Sequence, residues 1–566
     1  MPDTRDIRAY LEQLVEAAAR SAVAAGDLPD VAIPGAALER PKDTANGDFA
    51  STLPLRLARA AMKPPIEVAR AIASHIPADR AIETPAVAPP GFINFRLSTP
   101  FLQQQVEHII RVGPAFGDIR IGAGKKAQVE FVSANPTGPL HVGNGRGAAI
   151  GDALASALQA AGYEVEREYY VNDAGTQTDY FAETLYARYQ QLLGRDVDIP
   201  KDGYPGEYMV DLARMVKDEV GDRFLVPEGE PMPPALGALG IELMVRNIRA
   251  TLERFGVRYD RWYSERSLYE PGGAYDTAIQ VLRDKGMLVE REGALWFTSS
   301  ELGEDKDNVV VRSDGRPTYY ASDIAYHWDK FVRREFDLVV DVWGADHHGH
   351  VSRLKTATGA VGGDSSALHV LLYQLVFLNR GGEAVKIAKR SGEFVTLDEL
   401  IDDVGADAAR FFFLLRSPGA QMDFDLDLAK KQSSDNPVFY VQYAHARLCS
   451  ILERAREQGL TPDGGDVSKL THPAELGLVR EMMRLTDVIE LVATSLEPQQ
   501  LPHYAMSLAT AFHAFNDAFK QANDSSLKVI TGDVEMSRAR LRLVLAARIA
   551  LARVLELMGM TAPEKM

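Results

Sequence analysis

EFVSANPTGPLHVGNGRGAAIGD, residues 130–152, reads as a strand, a Pro/Gly-rich loop and the opening of a helix. The loop brings His141, Gly143 and Asn144 to the point where that helix begins. Helix N-termini carry unpaired N–H groups and partial positive charge, a combination that holds phosphate. Gly143 and Gly145 are expected to let a ligand approach the backbone, because a Cβ at either would fill that space. A Gly-rich turn alone is a weak signal. HVGN preceded by Asn135-Pro136-Thr137-Gly138-Pro139 is much more specific.

Around this stretch the pattern alternates strand and helix. Strands are expected at 127–132 and 163–171, with helices at 146–161 and 175–193, the grammar of a doubly wound parallel sheet. Residues 194–260, Pro/Gly-broken and mostly helical, read as an insertion between two halves of the sheet. Alternation returns at 288–297 and 308–312. A strand at 337–343 ends in GADHHGH, and 368–378 gives another buried strand. Ligands sit at the carboxyl ends of such strands, where HVGN, GADHHGH and KIAKR (386–390) arrive independently. Upstream, helical periods at 1–20 and 46–75, the link TPAVAPPG (84–91) and the strand GFINFRL (91–97) suggest a small α/β appendage. Downstream of about 437 the pattern is helical to the end, a bundle. The expected units are 1–113, a Rossmann-like α/β region 114–430, and an all-α region 431–566.

A length of 566 residues suggests about three or four domains. Hydrophobic residues at 46% and charged residues at 25% are ordinary for a globular protein. MPDTRDIRAYLEQL has no basic stretch followed by an apolar one, so nothing suggests export; no run is long enough to span a bilayer. A cytoplasmic location and no membrane partner are expected. The single cysteine, Cys449, excludes an internal disulfide and a thiolate-rich zinc cluster, and reads as a small core residue.

A net charge of −17 argues against RNA, since phosphate contacts come from Lys and Arg. From Lys431 onward, however, 15 basic residues face 16 acidic ones, so the acidity lies upstream. Arg538 and Arg542 share a helical face, either as an RNA footprint or as a solvated surface.

The chain is identified as resembling the arginyl-tRNA synthetases of class I nearly end to end. HVGN resembles the first ATP signature, usually written HIGH, and KIAKRSGEFVTL the second, usually written KMSKS. Further matches are NGDFASTLPLRLA (46–58), RPTYYASDIAYH (316–327), DVWGADHHGH (341–350), GADAARFFFLLRS (405–417), NPVFYVQYAHAR (436–447) and the terminal APEKM. The resemblance implies a class I Rossmann-like catalytic region of bacterial type. It further implies an N-terminal domain that touches the outer corner of tRNA and a C-terminal anticodon-binding bundle.

It also implies the chemistry. Arginine's carboxylate attacks the α-phosphate of ATP, pyrophosphate leaves, and arginine passes to the 2′-hydroxyl of the terminal adenosine of tRNA(Arg). Such a reaction needs positioning and charge stabilisation. His141 and Asn144 would donate hydrogen bonds, and Lys386 and Lys389 would supply cations on a loop able to close over ATP. Pro139, Gly143, Gly344 and Asp346 match the rest of the nucleotide site. For arginine, the match implicates Asp323 and Tyr319 at the guanidinium, with Glu130, Asn135, His141 and His347 around the remainder. The residues alone leave alternatives: a helix N-terminal acid for Asp323, an Asn-Pro turn for Asn135, a solvent-facing strand residue for Glu130. Asn144 stands where the signature usually ends in His, and Ala388 replaces the usual Ser. ATP would bring Mg²⁺ on its phosphates, with no protein-bound zinc.

For RNA, Phe92 and Asn94 match the contact strand of the N-terminal domain, with Phe where some members have Tyr. Tyr440, Tyr443 and Met566 lie in segments used for the anticodon arm, where aromatic stacking is the physical means; packing is the alternative for the tyrosines. The resemblance further implies activation only when tRNA is bound, no editing domain, and a monomer. The rivals are a same-class ligase for another amino acid and a catalytically silent RNA-binding relative. Lack of thiolates counts against a cysteine ligase; Asn144 and Ala388 are all that favours a silent protein.

Overall fold

A computed structural model of the chain describes residues 7–385, 395–521 and 528–566. Five parallel strands form the central sheet: β1 (Lys126–Phe131), β2 (Glu164–Val171), β3 (Arg261–Ser264), β4 (Leu338–Gly344) and β5 (Leu368–Tyr373). Their order across the sheet is β5-β4-β1-β2-β3. The chain therefore starts in the middle, winds out to β3, then returns and winds the other way. The reversal between β1 and β4 is the switch point at which a doubly wound sheet leaves a crevice. Phe131 pairs with Val342 across it, so the loops after both strands leave the sheet side by side.

Helix α1 (Val142–Ala160) is the crossover from β1 to β2. Sixteen of its 19 residues are buried, and a helix covered on every side belongs in the core. Its glycines serve that burial. A Cβ at Gly151 would come 2.2 Å from the Phe131 ring, at Gly147 2.9 Å from Tyr373, and at Gly145 2.6 Å from Leu397. Gly145 thus makes room for protein, not for ligand as its place in the signature suggested. Arg146, fully buried, donates to the carbonyls of Gln374 (2.7 Å), Ala420 (2.9 Å) and Ser417 (2.9 Å).

That anchor marks a departure from the expected strand 368–378. The chain breaks at Gln374 and exposed Leu375; Val376–Arg380 then joins a second sheet with Glu383–Ala384 and Met422–Asp425. The 288–297 and 308–312 stretches also leave the main sheet. Leu288–Arg291, Ala294–Phe297 and Asn308–Val311 form a three-stranded antiparallel sheet of their own. Glu292 and Gly293 both have positive φ, the signature of a two-residue hairpin turn, and only antiparallel neighbours can be joined so tightly. Helices Thr176–Leu192, Glu207–Val220 and Pro234–Arg254 fill the insertion between β2 and β3. Helix α2 (Tyr319–Trp328), extended by one π-helical turn over Asp329–Arg333, leads into β4.

N-terminal to this core, a four-stranded antiparallel sheet runs in the order Leu38–Glu39, Phe49–Ser51, Phe92–Phe95, Ala86–Ala88. C-terminal to it stands a bundle of α3 (Pro437–Glu457), α4 (Pro473–Ser495), α5 (Gln500–Gln521) and α6 (Val534–Leu557). Three arginines of α6, Arg540, Arg542 and Arg553, hold that helix to its neighbours, so Arg542 is not the solvated residue its face suggested. Arg542 grips Glu107 with two bonds, Arg553 pairs with Asp118 at 2.7 Å, and buried Arg540 pairs with Glu475 at 2.8 Å. Arg538 reaches only Glu535 of its own helix, 3.5 Å away. Cys449 is half-buried, not fully in the core. Among the described residues no helix is long and apolar enough to cross a membrane.

Candidate active site

The loop after β1 ends in a capping box. His141 is the N-cap of α1: its backbone N–H donates to Asn144 Oδ1 at 2.9 Å, and its Nδ1 accepts from the Asn144 N–H at 3.4 Å. Reciprocal bonds of this kind satisfy two orphan donors at a helix start. Asn144 is therefore a sound structural substitute at the signature's last position. Accepting at Nδ1 leaves the His141 proton on Nε2, and burial of the surrounding atoms holds the imidazole below its usual pKa. A Cβ at Gly143 would meet the His141 ring at 3.0 Å, so this glycine seats the histidine. Pro139 is half-buried on the same loop.

The signature loop is bonded to the segment that follows KIAKR. Val142 N–H donates to the Val395 carbonyl (3.1 Å), and Leu397 N–H to the Leu140 carbonyl (2.8 Å). Thr396 then caps the next helix, Leu397–Val404, in a second box with Glu399. Lys386 and Lys389, with Ala388, lie outside the described residues.

Beneath the switch point lies a buried ion array. Lys330, with no exposed side-chain surface, donates to Glu130 Oε2 at 2.7 Å and to Asp341 Oδ1 at 2.8 Å. His327 Nε2 lies 2.9 Å from Asp341 Oδ2, and its Nδ1 2.8 Å from the Asp323 carbonyl. Burial pushes the Asp341 carboxyl up, but Lys330 and His327 outweigh it and hold Asp341 below the usual carboxylate range. For Lys330, burial is overcome by Asp341 and Glu130, so the ammonium is held above its usual value. Burial raises Glu130, with Lys330 opposing. Glu130 is thus no solvent-facing strand residue; its carboxylate belongs to this array.

Asp323 differs. It sits in the second turn of α2, not the first, so the helix-terminal reading fails. Its side chain is half-buried, and no hydrogen bond from a described residue reaches the carboxylate. Burial pushes it up to about 6, with Glu130 and Asp341 raising it and His327 and Lys330 opposing. Next to it Ser322 Oγ donates to Glu265 Oε1 at 2.8 Å, and burial pushes Glu265 up to about 7, helped by Asp323 and Asp173. Tyr319 stands half exposed at the start of α2; burial of its remaining surface raises its hydroxyl, and the nearby Glu265 charge adds to this. Two carboxylates short of cations, walled by tyrosines, suit a planar cation with several donors. Asn135 is exposed and donates to Gln177 Oε1 at 2.6 Å.

Sequence reasoning missed Glu265, His327, Lys330 and Asp341. Asp323, His327 and Lys330 fall at i, i+4 and i+7, one face of a helix, a signal present in YYASDIAYHWDK. Glu265 follows the short edge strand β3 and carried no such signal.

On the loop after β4, Gly344 leaves room for Asp346, whose Oδ1 would lie 2.5 Å from a Cβ there. Asp346 and His347 are exposed and lie 3.6 Å apart; the His347 ring neighbours Trp343 and His350. Among the described residues no three His, Cys, Asp or Glu side chains are arranged to hold one metal ion.

The RNA candidates lie on elements outside the central sheet. Phe92 and Asn94 are half-buried and alternate with buried Ile93 and Phe95, so they share the outer face of their strand. Tyr440 is engaged within the bundle: its hydroxyl meets Thr510 Oγ1 at 3.2 Å and its ring packs 4.8 Å from His513. Tyr443 and Met566 are exposed.

Family models match most of the chain. Residues 7–97 match the arginyl tRNA synthetase N terminal domain, 105–201 and 241–412 the catalytic domain of class I (R) tRNA synthetases, and 441–566 the DALR anticodon binding domain. An arginine–tRNA ligase of Dehalococcoides mccartyi is 50% identical over 541 residues, 96% of each chain. One of Carboxydothermus hydrogenoformans is 48% identical over 551 residues, 97% of each. Among solved structures, a putative arginyl-tRNA synthetase from Campylobacter jejuni superposes with a TM-score of 0.74 at 33% identity, over 83% of this chain and all of the other. The Thermus thermophilus arginyl-tRNA synthetase shares the fold, at TM-score 0.76 and 23% identity, over 99% of this chain and all of the other.

Proposed function

The chain belongs to the class I arginyl-tRNA synthetases, and we propose that the crevice between β1 and β4 joins L-arginine to tRNA(Arg) at the expense of ATP. A carboxylate oxygen of arginine attacks the α-phosphorus, the bond to pyrophosphate breaks, and arginyl-adenylate forms. The 2′-hydroxyl of the terminal adenosine then attacks the acyl carbon, giving up its proton, and AMP leaves. One observation carries this reading: the carboxylate of Asp323, half-buried and without a donor among the described residues, lies close enough to Glu265 to raise it, and close enough to Glu130 of β1 and Asp341 of β4 to be raised by them.

In this reading Asp323, Glu265 and Tyr319 take the guanidinium, and Glu130, Asn135, His141 and His347 surround the rest of the amino acid. Glu130 acts from within its ion pair with Lys330. Pro139, His141, Gly143, Asn144, Gly344 and Asp346 line the nucleotide, with the partial positive charge at the N-terminus of α1 favouring phosphate there. Lys386 and Lys389 follow the departing pyrophosphate, and Mg²⁺ arrives on the ATP phosphates. Residues 1–113 would meet the outer corner of tRNA through Phe92 and Asn94. Residues 114–430 would perform the chemistry, and 431–566 would hold the anticodon arm through Tyr443, Met566 and the already engaged Tyr440. The enzyme would work as a cytoplasmic monomer.

Arginine-dependent ATP–pyrophosphate exchange, with and without cognate tRNA, tests the reading. Exchange only with tRNA present is expected. Exchange without tRNA would retain the enzyme and remove the gating. No exchange with any amino acid, while tRNA still binds, would favour the silent relative.

A further inference from the structure

Glu265 is 4% exposed, and among the described residues the donors that reach its carboxylate are all neutral. Ser322 Oγ donates to Oε1 at 2.8 Å. The Asn172 amide, with its nitrogen turned toward acceptors, donates to Oε2 at 2.5 Å and to the Ala174 carbonyl at 3.2 Å. Behind Ser322 stands Tyr269, whose hydroxyl oxygen lies 2.6 Å from Ser322 Oγ. A serine hydroxyl has one hydrogen and a carboxylate only accepts. That hydrogen is therefore committed to Glu265, and Tyr269 must donate its own to Ser322. Burial pushes the Tyr269 hydroxyl up to about 12, so it keeps its hydrogen at any working pH. The three side chains form one directed chain, from Tyr269 through Ser322 to Glu265. Ser322 is itself 4% exposed, so water competes little for its bonds.

Ser322 also precedes Asp323 on α2. Its side chain holds Glu265, from the segment after β3, and its backbone carries Asp323. The two carboxylates come from different elements, and Ser322 is attached to both. We propose that Ser322 is a positioning residue for arginine, setting the spacing of the Glu265 and Asp323 carboxylates through the Tyr269–Ser322–Glu265 chain, a role that rests on both carboxylates taking the guanidinium. The N–H donors of a guanidinium lie in one rigid plane, so acceptors from two elements must stand at a fixed separation to meet it. Neutral donors suit this task. A lysine or arginine at Glu265 would cancel the charge that the substrate has to find, whereas hydroxyl and amide hydrogens orient the carboxylate and leave its charge in place. A Glu265 side chain left to rotate would have to be ordered by the ligand at a cost in affinity.

Steady-state aminoacylation by the full chain, with tRNA(Arg) and arginine, tests the role. Ser322→Ala should raise the KM for arginine about tenfold, as expected for losing a hydrogen bond to a charged group. Its kcat and its KM for ATP should stay within about twofold of wild type, because only arginine meets these carboxylates. Ser322→Thr keeps the hydroxyl and should hold the arginine KM within about threefold of wild type. Tyr269→Phe leaves Ser322 in place and should raise the arginine KM about threefold, yet add nothing in the Ser322→Ala background, where the chain no longer reaches Glu265. An arginine KM unchanged in either Ser322→Ala or Tyr269→Phe would overturn the proposal. So would effects of the two substitutions that multiply, or an equal rise in the KM for ATP. A wild-type enzyme that charges no arginine would remove the reading of the pocket itself, and the proposal with it.

Discussion

Two sets of charge meet at the end of α2 and are treated in opposite ways. Beneath the β1/β4 junction, Lys330, Glu130, Asp341 and His327 are buried and each group has its partner within 2.9 Å. Above it, the carboxylate of Asp323 has no donor among the described residues, and Glu265 receives only hydroxyl and amide help. Burying a charge without a partner is costly, so folded chains pair or neutralise such groups. A carboxylate left half-buried and unpaired next to a fully paired array is therefore reserved for a partner the chain does not contain. The lower array gives the upper pair a rigid base. It supplies no free cation that could swing up and close the site.

Breaking the lower array should have the largest effect. Lys330→Met removes the ammonium and leaves Glu130 and Asp341 facing each other in the core. Removing one member of a buried pair costs about 3–5 kcal/mol, read as a lower midpoint in urea unfolding of the catalytic region. A loss below ~1 kcal/mol would mean that the array is wetter than its burial implies. Substituting the upper group separates the two sets. Asp323→Asn keeps the shape and removes the unpaired charge, so kcat/KM for arginine should fall roughly a hundredfold with an unfolding midpoint at pH 7 no lower than wild type. An equal loss of stability would place Asp323 in the framework instead.

The same contrast explains what could be read from the chain in advance. The sheet, the crossover helix and the switch point follow from periodicity and from Asn135–Asn144, because a Gly/Pro loop between strand and helix has few conformations. Asp323 was reached through the family motif, whereas the i, i+4, i+7 spacing of Asp323, His327 and Lys330 was in plain sight and went unread. Partners from different strands were not legible. Nothing local says that Glu130 and Asp341 share one lysine, since that depends on parallel register between strands two hundred residues apart. The tail arginines misled for the same reason. A fork such as Arg542 looks like an RNA contact until the fold delivers Glu107 to it. The break at Gln374 was hidden because an apolar run does not reveal that its two halves serve different sheets.

The smallest effect is also the most direct on the unpaired set. Asp323 is raised to about 6 and Glu265 to about 7, above the value of roughly 4 expected for an unfolded carboxyl. Between those limits the folded enzyme retains protons that the unfolded chain has lost. These two groups therefore favour folding at low pH, and that contribution fades as pH rises through 6 and 7. Arginine acts in the opposite sense, because its guanidinium is charged at every relevant pH and prefers both carboxylates ionised. Arginine affinity should accordingly improve about tenfold from pH 5.5 to pH 7.5 and then level off. The gain in unfolding temperature on adding arginine should grow over the same interval. Calorimetric titration across that range checks the first, and thermal scans with and without arginine check the second. An affinity that is flat with pH would mean that Asp323 and Glu265 are already ionised in the empty enzyme, and that the pocket is far more open to water than its walls of tyrosine indicate.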